Sequence, residues 1–288
     1  MQISVLMDAR TPAHIAPIAQ DPRQPALALR GLAKAFEGSP AVHNLSLDIP
    51  RGSFYGLVGP NGAGKTTTIM MATGLLRPDA GTAVVCGHDI WGAGTGQHPE
   101  PDNTEVLAAK AAYGLLADGL PVFDRLSGRE YLVYLGLLRG MDASVVDKRS
   151  KDLLGALDLA EAQDKYIVDY SAGMTKKILL AGALLHRPEI LILDEPFEAV
   201  DPVSGQVIRQ ILHNYVAAGG TVVMSSHVME LVQGICDHVA VIARGQVLAS
   251  GQIDEVRGQQ SLSDLFVQLV GGRSLDADSL GWLGEARR

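Results

Sequence analysis

Cysteine and long apolar runs are both scarce in this sequence. The two cysteines among the 288 residues, Cys86 and Cys236, lie far apart and lack the spacing of metal ligands. A disulfide framework is therefore excluded, and a reducing compartment such as the cytosol is expected. The longest uncharged apolar run, residues 178–185, is well short of the roughly 18 to 20 residues that cross a bilayer, and the N-terminus lacks a signal-peptide pattern. We expect neither a membrane span nor export of the chain itself.

Positive charge and aromatic side chains are also in short supply. Lys and Arg total 24 against 32 Asp and Glu, the formal net charge is −8, and aromatic residues make up 5%. Such a surface lacks the basic face that binds a phosphate backbone, so no nucleic-acid partner is expected. Adsorption to anionic lipid is unfavourable for the same reason, so membrane association should depend on a protein partner. The 47% of hydrophobic residues suffices for one large or two small cores.

Composition and periodicity divide the chain into three parts. Residues 1–25 contain four prolines and little periodicity, which is typical of a flexible leader. Beyond them, apolar runs bounded by Gly and Pro alternate with stretches of helical period, as in a layered α/β domain. We expect one main domain over residues 26–258, with a helical subdomain inserted at about 119–187, and then a helical tail over 259–288.

Four apolar runs are predicted to be strands of the main sheet, because strands covered on both faces are apolar along their length. The capping-box pattern of Ser127 and Glu130 predicts the start of a helix between the first two runs. Further helices are predicted over residues 142–157 and from Ser171 onward. The predicted strands are residues 54–58, 190–193, 221–224 and 239–242.

A glycine-rich segment between the first strand and a predicted helix over residues 66–73 carries the clearest chemical signal. Residues 59–66 spell G-P-N-G-A-G-K-T and satisfy the phosphate-loop pattern. Inward backbone N–H groups and a helix N-terminus favour phosphate, so Lys65 is expected to neutralise the β and γ phosphates and Thr66 to ligate Mg²⁺. A chance match on a turn is the weaker alternative. The predicted phosphate contacts are Gly59, Asn61, Gly62, Ala63, Gly64, Lys65, Thr66 and Thr67.

Acidic residues and a histidine follow two other predicted strands. Asp194 and Glu195 come directly after residues 190–193, and His227 follows residues 221–224 through two serines. Because ligands bind beyond the carboxyl ends of parallel strands, we expect Asp194 at the magnesium ion and Glu195 at the attacking water. His227 would contact the γ-phosphate, and Glu195, His227 and Lys65 form the predicted catalytic set. The alternatives are a solvated strand end for the acids and an ordinary helix-start histidine.

The segment Y-S-A-G-M at residues 170–174 completes a pattern that resembles the ATP-binding subunits of ABC transporters. The resemblance extends over about residues 29–251. It implies an α/β phosphate-loop NTPase fold with a parallel-rich core sheet, an N-terminal antiparallel β portion and the inserted helical subdomain. It also implies that Ser171 and Gly173 grip the γ-phosphate bound by an opposite subunit. Without the family, Ser171 is simply a good helix N-cap.

Three further residues gain roles from the resemblance. Phe36 matches the aromatic residue on which adenine stacks, with a core phenylalanine as the alternative. Asp201 matches the loop that communicates between the two nucleotide sites, or it is the N-cap of a helix that begins at Pro202. Asp118 stands where the family usually has a Gln or Glu that reaches the magnesium ion and contacts the membrane partner. The segment over residues 92–103 is longer than the corresponding connection in the family.

The resemblance also implies a function. The chain is predicted to be an ATPase that uses ATP and Mg²⁺, dimerises with itself or a related ATPase around two ATP molecules, and drives a separate integral membrane permease. The segment Y-S-A-G-M at residues 170–174, which is the signature segment of the family, and a tail such as Leu262–Val270 resemble the corresponding parts of exporter ATPases. Its location would be cytoplasmic, on the inner face of the membrane through the permease. The alternatives are a soluble ABC-type ATPase that remodels a cytosolic assembly and a nucleotide-gated module without useful hydrolysis.

Overall fold

The computed structural model describes residues 24–92, 103–117, 119 and 122–271. Within these residues the chain forms two sheets with helices packed against them. The strands are β1 (Leu27–Phe36), β2 (Ser39–Ile49), β3 (Phe54–Val58), β4 (Ala80–Val85), β5 (His88–Asp89), β6 (Tyr113–Leu116), β7 (Ile190–Leu193), β8 (Thr221–Ser226), β9 (His238–Ala243) and β10 (Gln246–Gln252). The helices are α1 (Lys65–Ala72), α2 (Asn103–Ala112), α3 (Gly128–Leu138), α4 (Ala143–Ala156), α5 (Ala172–Leu184), α6 (Pro202–Ala217), α7 (Met229–Ile235), α8 (Ile253–Arg257) and α9 (Leu262–Val270).

The larger sheet contains all four strands predicted from the sequence. Within the described residues its order is β10-β9-β3-β8-β7-β6, and every neighbouring pair is parallel except β9 and β10. The residues of β3, β7 and β8 are all buried, which explains why these strands are apolar. Parallel neighbours end at the same edge of the sheet, so the segments that follow β3, β7 and β8 meet there.

The smaller sheet is antiparallel and has the order β2-β1-β4-β5 in the described part of the chain. This confirms the expected N-terminal antiparallel portion. Glu37 and Gly38, which join β1 to β2, both have positive φ angles, of 49° and 82°. Two consecutive residues of this kind form the hairpin turn that matches the twist of paired strands. Phe36 and Ser39 pair at the end of this hairpin.

The helical insertion consists of α3, α4 and α5. The predicted capping box is present, since Ser127 Oγ accepts from the Glu130 amide at 3.2 Å and Glu130 Oε2 accepts from the Ser127 amide at 2.8 Å. The α3 and α4 helices pack closely at Gly136, where an added Cβ would lie 2.5 Å from a methyl group of Val146. These helices lie inside the interval of about 119–187, and the limits of the subdomain remain a prediction.

Several local expectations need correction or completion. The strand β6 was not predicted, because it is four residues long and contains Gly114, where a Cβ would lie 2.1 Å from the Ala183 carbonyl oxygen of α5. The helix α1 begins and ends one residue earlier than predicted. The helix α9 coincides with the apolar stretch singled out in the tail. Asp118 and most of the leader and of the 92–103 segment lie outside the described residues.

Among the residues that the structure describes, no helix combines the length and the apolar character that crossing a bilayer requires.

Candidate active site

The phosphate loop connects β3 to α1 through a backbone that only glycine tolerates at several positions. Gly62 and Gly64 have φ angles of 78° and 101°. An added Cβ at Gly59 would lie 2.1 Å from the Ile242 carbonyl oxygen, and one at Gly64 would lie 2.6 Å from that of Ala41. The loop is therefore wedged between β9 and β2, which places the N-terminus of α1 beyond the end of β3.

The turn between β9 and β10 supports the phosphate loop through backbone hydrogen bonds. The Gly245 amide, between β9 and β10, donates to the Ala63 carbonyl at 2.9 Å, and the Gly245 carbonyl accepts from the His43 amide at 2.9 Å. Gly245 has a φ of 73°, and a Cβ there would lie 2.6 Å from the Ala41 carbonyl oxygen. The turn thus joins the phosphate loop to β2. Its Gly245 is a residue of the site that sequence reasoning missed.

Lys65 is buried and its side chain curls back over the phosphate loop. The ammonium group donates to the carbonyl oxygens of Gly59 at 2.7 Å and Pro60 at 3.2 Å. Burial lowers the pKa of Lys65, and the charges of Glu195 and Asp194 oppose that change. The cation is therefore held at the mouth of the loop, on the side of the two carboxylates.

Asp194 is fully buried, with 0% of its surface exposed, so the hypothesis of a solvated strand end is wrong for this residue. Its Oδ1 accepts a hydrogen bond from Ser225 Oγ, whereas Oδ2 has no hydrogen-bond partner in the part of the chain that the structure describes. A buried carboxylate oxygen that lacks a partner is suited to a cation. Mg²⁺ binds proteins through one or two oxygen ligands and otherwise through phosphates and water, so Asp194 and the exposed Thr66 at the start of α1 fit this ion.

Ser225 is a second residue of the site that the sequence did not single out. Besides donating to Asp194, its Oγ accepts from the Glu195 amide at 2.9 Å. One hydroxyl at the end of β8 therefore positions both acidic residues at the end of β7. The only sequence signal was the pair of serines before His227.

Glu195 brings the three predicted catalytic side chains together. Its Oε1 lies 3.0 Å from His227 Nδ1 and 3.9 Å from Lys65 Nζ. Glu195 adopts a φ of 45°, a left-handed conformation that is unusual outside glycine and is concentrated at functional sites. Its side chain is mostly buried, while that of His227 is partly exposed. A carboxylate, an imidazole and an ammonium group thus converge beside the phosphate loop.

The signature segment forms the N-terminus of α5. Ser171 Oγ accepts from the Met174 amide at 3.3 Å and caps the helix, as expected. Gly173 lies against the loop before α6, since a Cβ there would come within 2.9 Å of the Ala199 carbonyl oxygen. Ser171 is exposed, so the capped helix start lies on the surface of the chain.

Comparison with known proteins identifies the family. The model of the ABC transporter family matches residues 42–198, which is more than half of the chain. The chain belongs to the ABC transporter family. It is 35% identical over 250 residues to the daunorubicin/doxorubicin resistance ATP-binding protein DrrA of Streptomyces peucetius, a match that covers 86% of this chain and 72% of DrrA. It is 33% identical over 226 residues to the ABC transporter ATP-binding protein NatA of Bacillus subtilis, covering 78% and 87% of the two chains.

Another relative and the solved structures agree with this assignment. The linearmycin resistance ATP-binding protein LnrL of Bacillus subtilis is 32% identical over 244 residues, covering 85% of this chain and 74% of LnrL. The fold is similar to that of an ATP-binding subunit of an ABC transporter, with a TM-score of 0.76 at 24% identity, over 85% of this chain and 99% of the other. The chain is therefore an ATP-binding and ATP-hydrolysing subunit of an ABC transporter that works with a membrane permease. The hypothesis of a soluble remodelling ATPase is not favoured.

Two residues with roles implied by the ABC resemblance are placed clearly by the structure. Phe36 is 48% exposed, so the alternative of a core phenylalanine is wrong, and its place at the adenine base remains a prediction. Asp201 caps α6, with Oδ1 accepting from the Val203 and Ser204 amides at 3.0 Å each, which confirms the capping alternative. A hydrogen bond from the Ser204 hydroxyl, together with the bonds from the Ser204 and Val203 amides, lowers the pKa of Asp201. The carboxylate is thus engaged within its own chain.

Proposed function

We propose that the protein energises export of a small molecule by closing, as a dimer, around ATP bound between residues 59–67 of one copy and Ser171 and Gly173 of the other. The observation that carries this proposal is the convergence of Glu195, His227 and Lys65 beside the phosphate loop, which supplies the ATP hydrolysis that the cycle of closing and reopening needs. Export is supported by relatives named for resistance to daunorubicin, doxorubicin and linearmycin. With its permease, the subunit would lie at the cytoplasmic face of the membrane.

The nucleotide would be held at both ends by this chain. The amides of the loop and of the α1 N-terminus, together with the Lys65 ammonium, would receive the phosphates. The exposed ring of Phe36 would stack on the adenine base. Thr66 and Asp194 would hold Mg²⁺, which neutralises charge on the β and γ phosphates when it is bound.

Hydrolysis would depend on Glu195. Its carboxylate would accept a proton from the attacking water and orient that molecule toward the γ-phosphate. His227 would hold the carboxylate through the 3.0 Å contact and approach the γ-phosphate itself. Ser225 would fix the Glu195 backbone, so that the water is presented from a rigid position.

The second half of the clamp would come from another subunit. A capped helix start such as that of α5 offers N–H groups and a positive end of the helix dipole to an anion. ATP that binds much better across the closed pair than to one open subunit would drive closure, and hydrolysis would release it. The partner copy would be this same chain or a related ATPase.

Replacement of Glu195 tests the proposal. Glu195→Gln keeps the shape of the side chain but removes the proton acceptor, so turnover should fall on the order of a hundredfold or more while ATP binding persists. ATP hydrolysis measured under steady-state conditions and ATP-dependent dimer formation measured by light scattering would show this. Glu161→Gln, at an exposed residue of the helical insertion, is the matched control and should change neither. Unchanged turnover in Glu195→Gln would contradict the assigned role.

A further inference from the structure

The end of β1 that presents Phe36 is held by a residue from another part of the chain. Asp79, which directly precedes β4, makes hydrogen bonds to three consecutive residues of β1. Its amide donates to the Ala33 carbonyl at 2.8 Å, its Oδ1 accepts from Lys34 Nζ at 2.7 Å, and its Oδ2 accepts from the Ala35 amide at 2.8 Å. The next residue of β1 is Phe36.

The topology explains why this carboxylate is needed. Ala33 pairs with Ala80 in the antiparallel β1 and β4 pair, and continuing that register would place Pro78 opposite Ala35. β4 begins at Ala80, so on its β4 side β1 has no strand partner at Ala35 among the described residues, whereas on the other side Ala35 pairs with Pro40 of β2. The Asp79 side chain supplies the acceptor for the Ala35 amide in place of a strand.

The same carboxylate sets the position of a cation beside the Phe36 ring. The Lys34 side chain extends over the ring of Phe36, two residues further along β1. The Lys34 ammonium lies 6.0 Å from the centroid of the ring, the limit at which a cation and an aromatic face attract. The hydrogen bonds from Lys34 and Ala35 lower the pKa of Asp79, so the carboxylate is charged at neutral pH.

We infer that Asp79 is the positioning residue of the adenine platform: its carboxylate clamps Lys34 and Ala35 so that the Phe36 ring is held for stacking against a purine base. This inference rests on the proposed stacking role of Phe36. Asp79 also lies in the segment that leads from α1 to β4, so it ties the end of β1 to the chain that follows the phosphate-loop helix.

Steady-state kinetics of the full chain can separate this role from a general structural one. Asp79→Ala and Asp79→Asn remove the charged acceptor and should raise KM for ATP by roughly threefold to tenfold with kcat unchanged. Inorganic tripolyphosphate, used as a competitive inhibitor without a base, should keep its inhibition constant. In a Phe36→Ala background, the Asp79 substitutions should have no further effect on KM. Asp48→Asn is the matched control. It breaks the ion pair between Asp48 Oδ1 of β2 and Arg30 Nη1 of β1, which lie 2.6 Å apart, and it should leave KM unchanged.

Three results would overturn the inference. They are an unchanged KM for ATP in both Asp79 variants, equal weakening of ATP and tripolyphosphate, and an Asp79 effect that persists without Phe36. If Phe36→Ala itself leaves KM unchanged, the adenine platform of the proposed function fails, and the role of Asp79 fails with it. If Phe36→Ala raises KM and the Asp79 variants do not, only the role of Asp79 is wrong.

Discussion

The phosphate loop and the signature segment both present the N-terminus of a helix, but they are built differently. The first residue before α1 is Gly64, which offers no side-chain cap, and the loop is wedged against backbone atoms of β2 and β9. The start of α5 has a serine cap of its own and lies exposed on the surface. An uncapped helix start needs an acceptor from outside the helix, whereas a capped one is already partly satisfied.

This difference indicates a division of labour between the two segments. The phosphate loop has its cation, its acidic neighbours and its supporting turn within one chain. The signature segment has none of these acidic or basic groups in hydrogen-bonding contact with Ser171 among the described residues. It is therefore suited to complete a site that another subunit has already built, as the proposed dimer requires.

The largest effect that we expect comes from disturbing the turn at Gly245, which supports the phosphate loop but, within the described residues, has no counterpart at the signature segment. Gly245→Ala adds a Cβ at a φ of 73° that would lie 2.6 Å from the Ala41 carbonyl oxygen. We expect a loss of about 3 kcal/mol in the free energy of unfolding and weaker ATP binding, because the bond to Ala63 shifts. Urea unfolding and calorimetric titration with ATP measure the two effects.

A second glycine substitution, Gly219→Ala, separates the effect of steric crowding from that of backbone strain. Gly219 has a φ of 91° and no atom within 4 Å of an added Cβ. Gly219→Ala should therefore lose only about 1 kcal/mol, from the left-handed conformation, and should bind ATP normally. Equal losses in the two variants would show that the turn does not support the loop through close contact.

The second largest effect is expected at Ser225, the residue that positions Asp194 and Glu195. Ser225→Ala removes the donor to Asp194 and the acceptor of the Glu195 amide, leaving buried polar groups without partners. Turnover should fall about tenfold and the magnesium concentration needed for half-maximal activity should rise. Titrating ATPase activity with MgCl₂ measures both. Ser150→Ala is the control, because Ser150 is buried with no hydrogen-bond partner among the described residues, and its turnover should remain normal.

The smallest effect tests the signature segment. Ser171→Ala and Ser261→Ala each remove a helix cap of the same geometry, so each should lose about 1 kcal/mol of stability. Only Ser171→Ala should also lower turnover, by about fivefold, because only that serine would meet the nucleotide of a second subunit. Chemical unfolding and turnover as a function of protein concentration measure this. Equal turnover in both variants would show that Ser171 caps its helix but does not contact the nucleotide of a second subunit.

Much of the fold was predictable because its signals are local. The strands at residues 54–58 and 190–193 are short apolar runs bounded by serine and glycine or by charged residues, and the structure reproduces their limits. The caps at Ser127, Asp142 and Ser171 are set by side chains that bond amides two or three residues away. Strand β6 escaped prediction because its glycine is selected by contact with α5, which no local pattern reports.

The sequence predicted which residues form the site but not which of them contact one another. Motif spacing indicated Lys65, Asp194, Glu195 and His227. The structure shows that Glu195 contacts both His227 and Lys65, and that Ser225 serves both acids. The sequence alone does not decide between core and surface for Phe36, since an aromatic residue at the end of a strand is common in both places.

The sequence by itself determined the four apolar strands of the main sheet, the capped helices and the phosphate loop, because glycine conformations, apolar periods and helix caps act over a few residues. Only the tertiary structure decided which elements meet. Ser225 reaches Asp194 across 31 positions, Asp79 reaches Lys34 across 45, and Gly245 supports a loop more than 180 residues earlier. Such contacts follow from the order of strands in the two sheets, and that order is set by burying the apolar faces of the whole domain together.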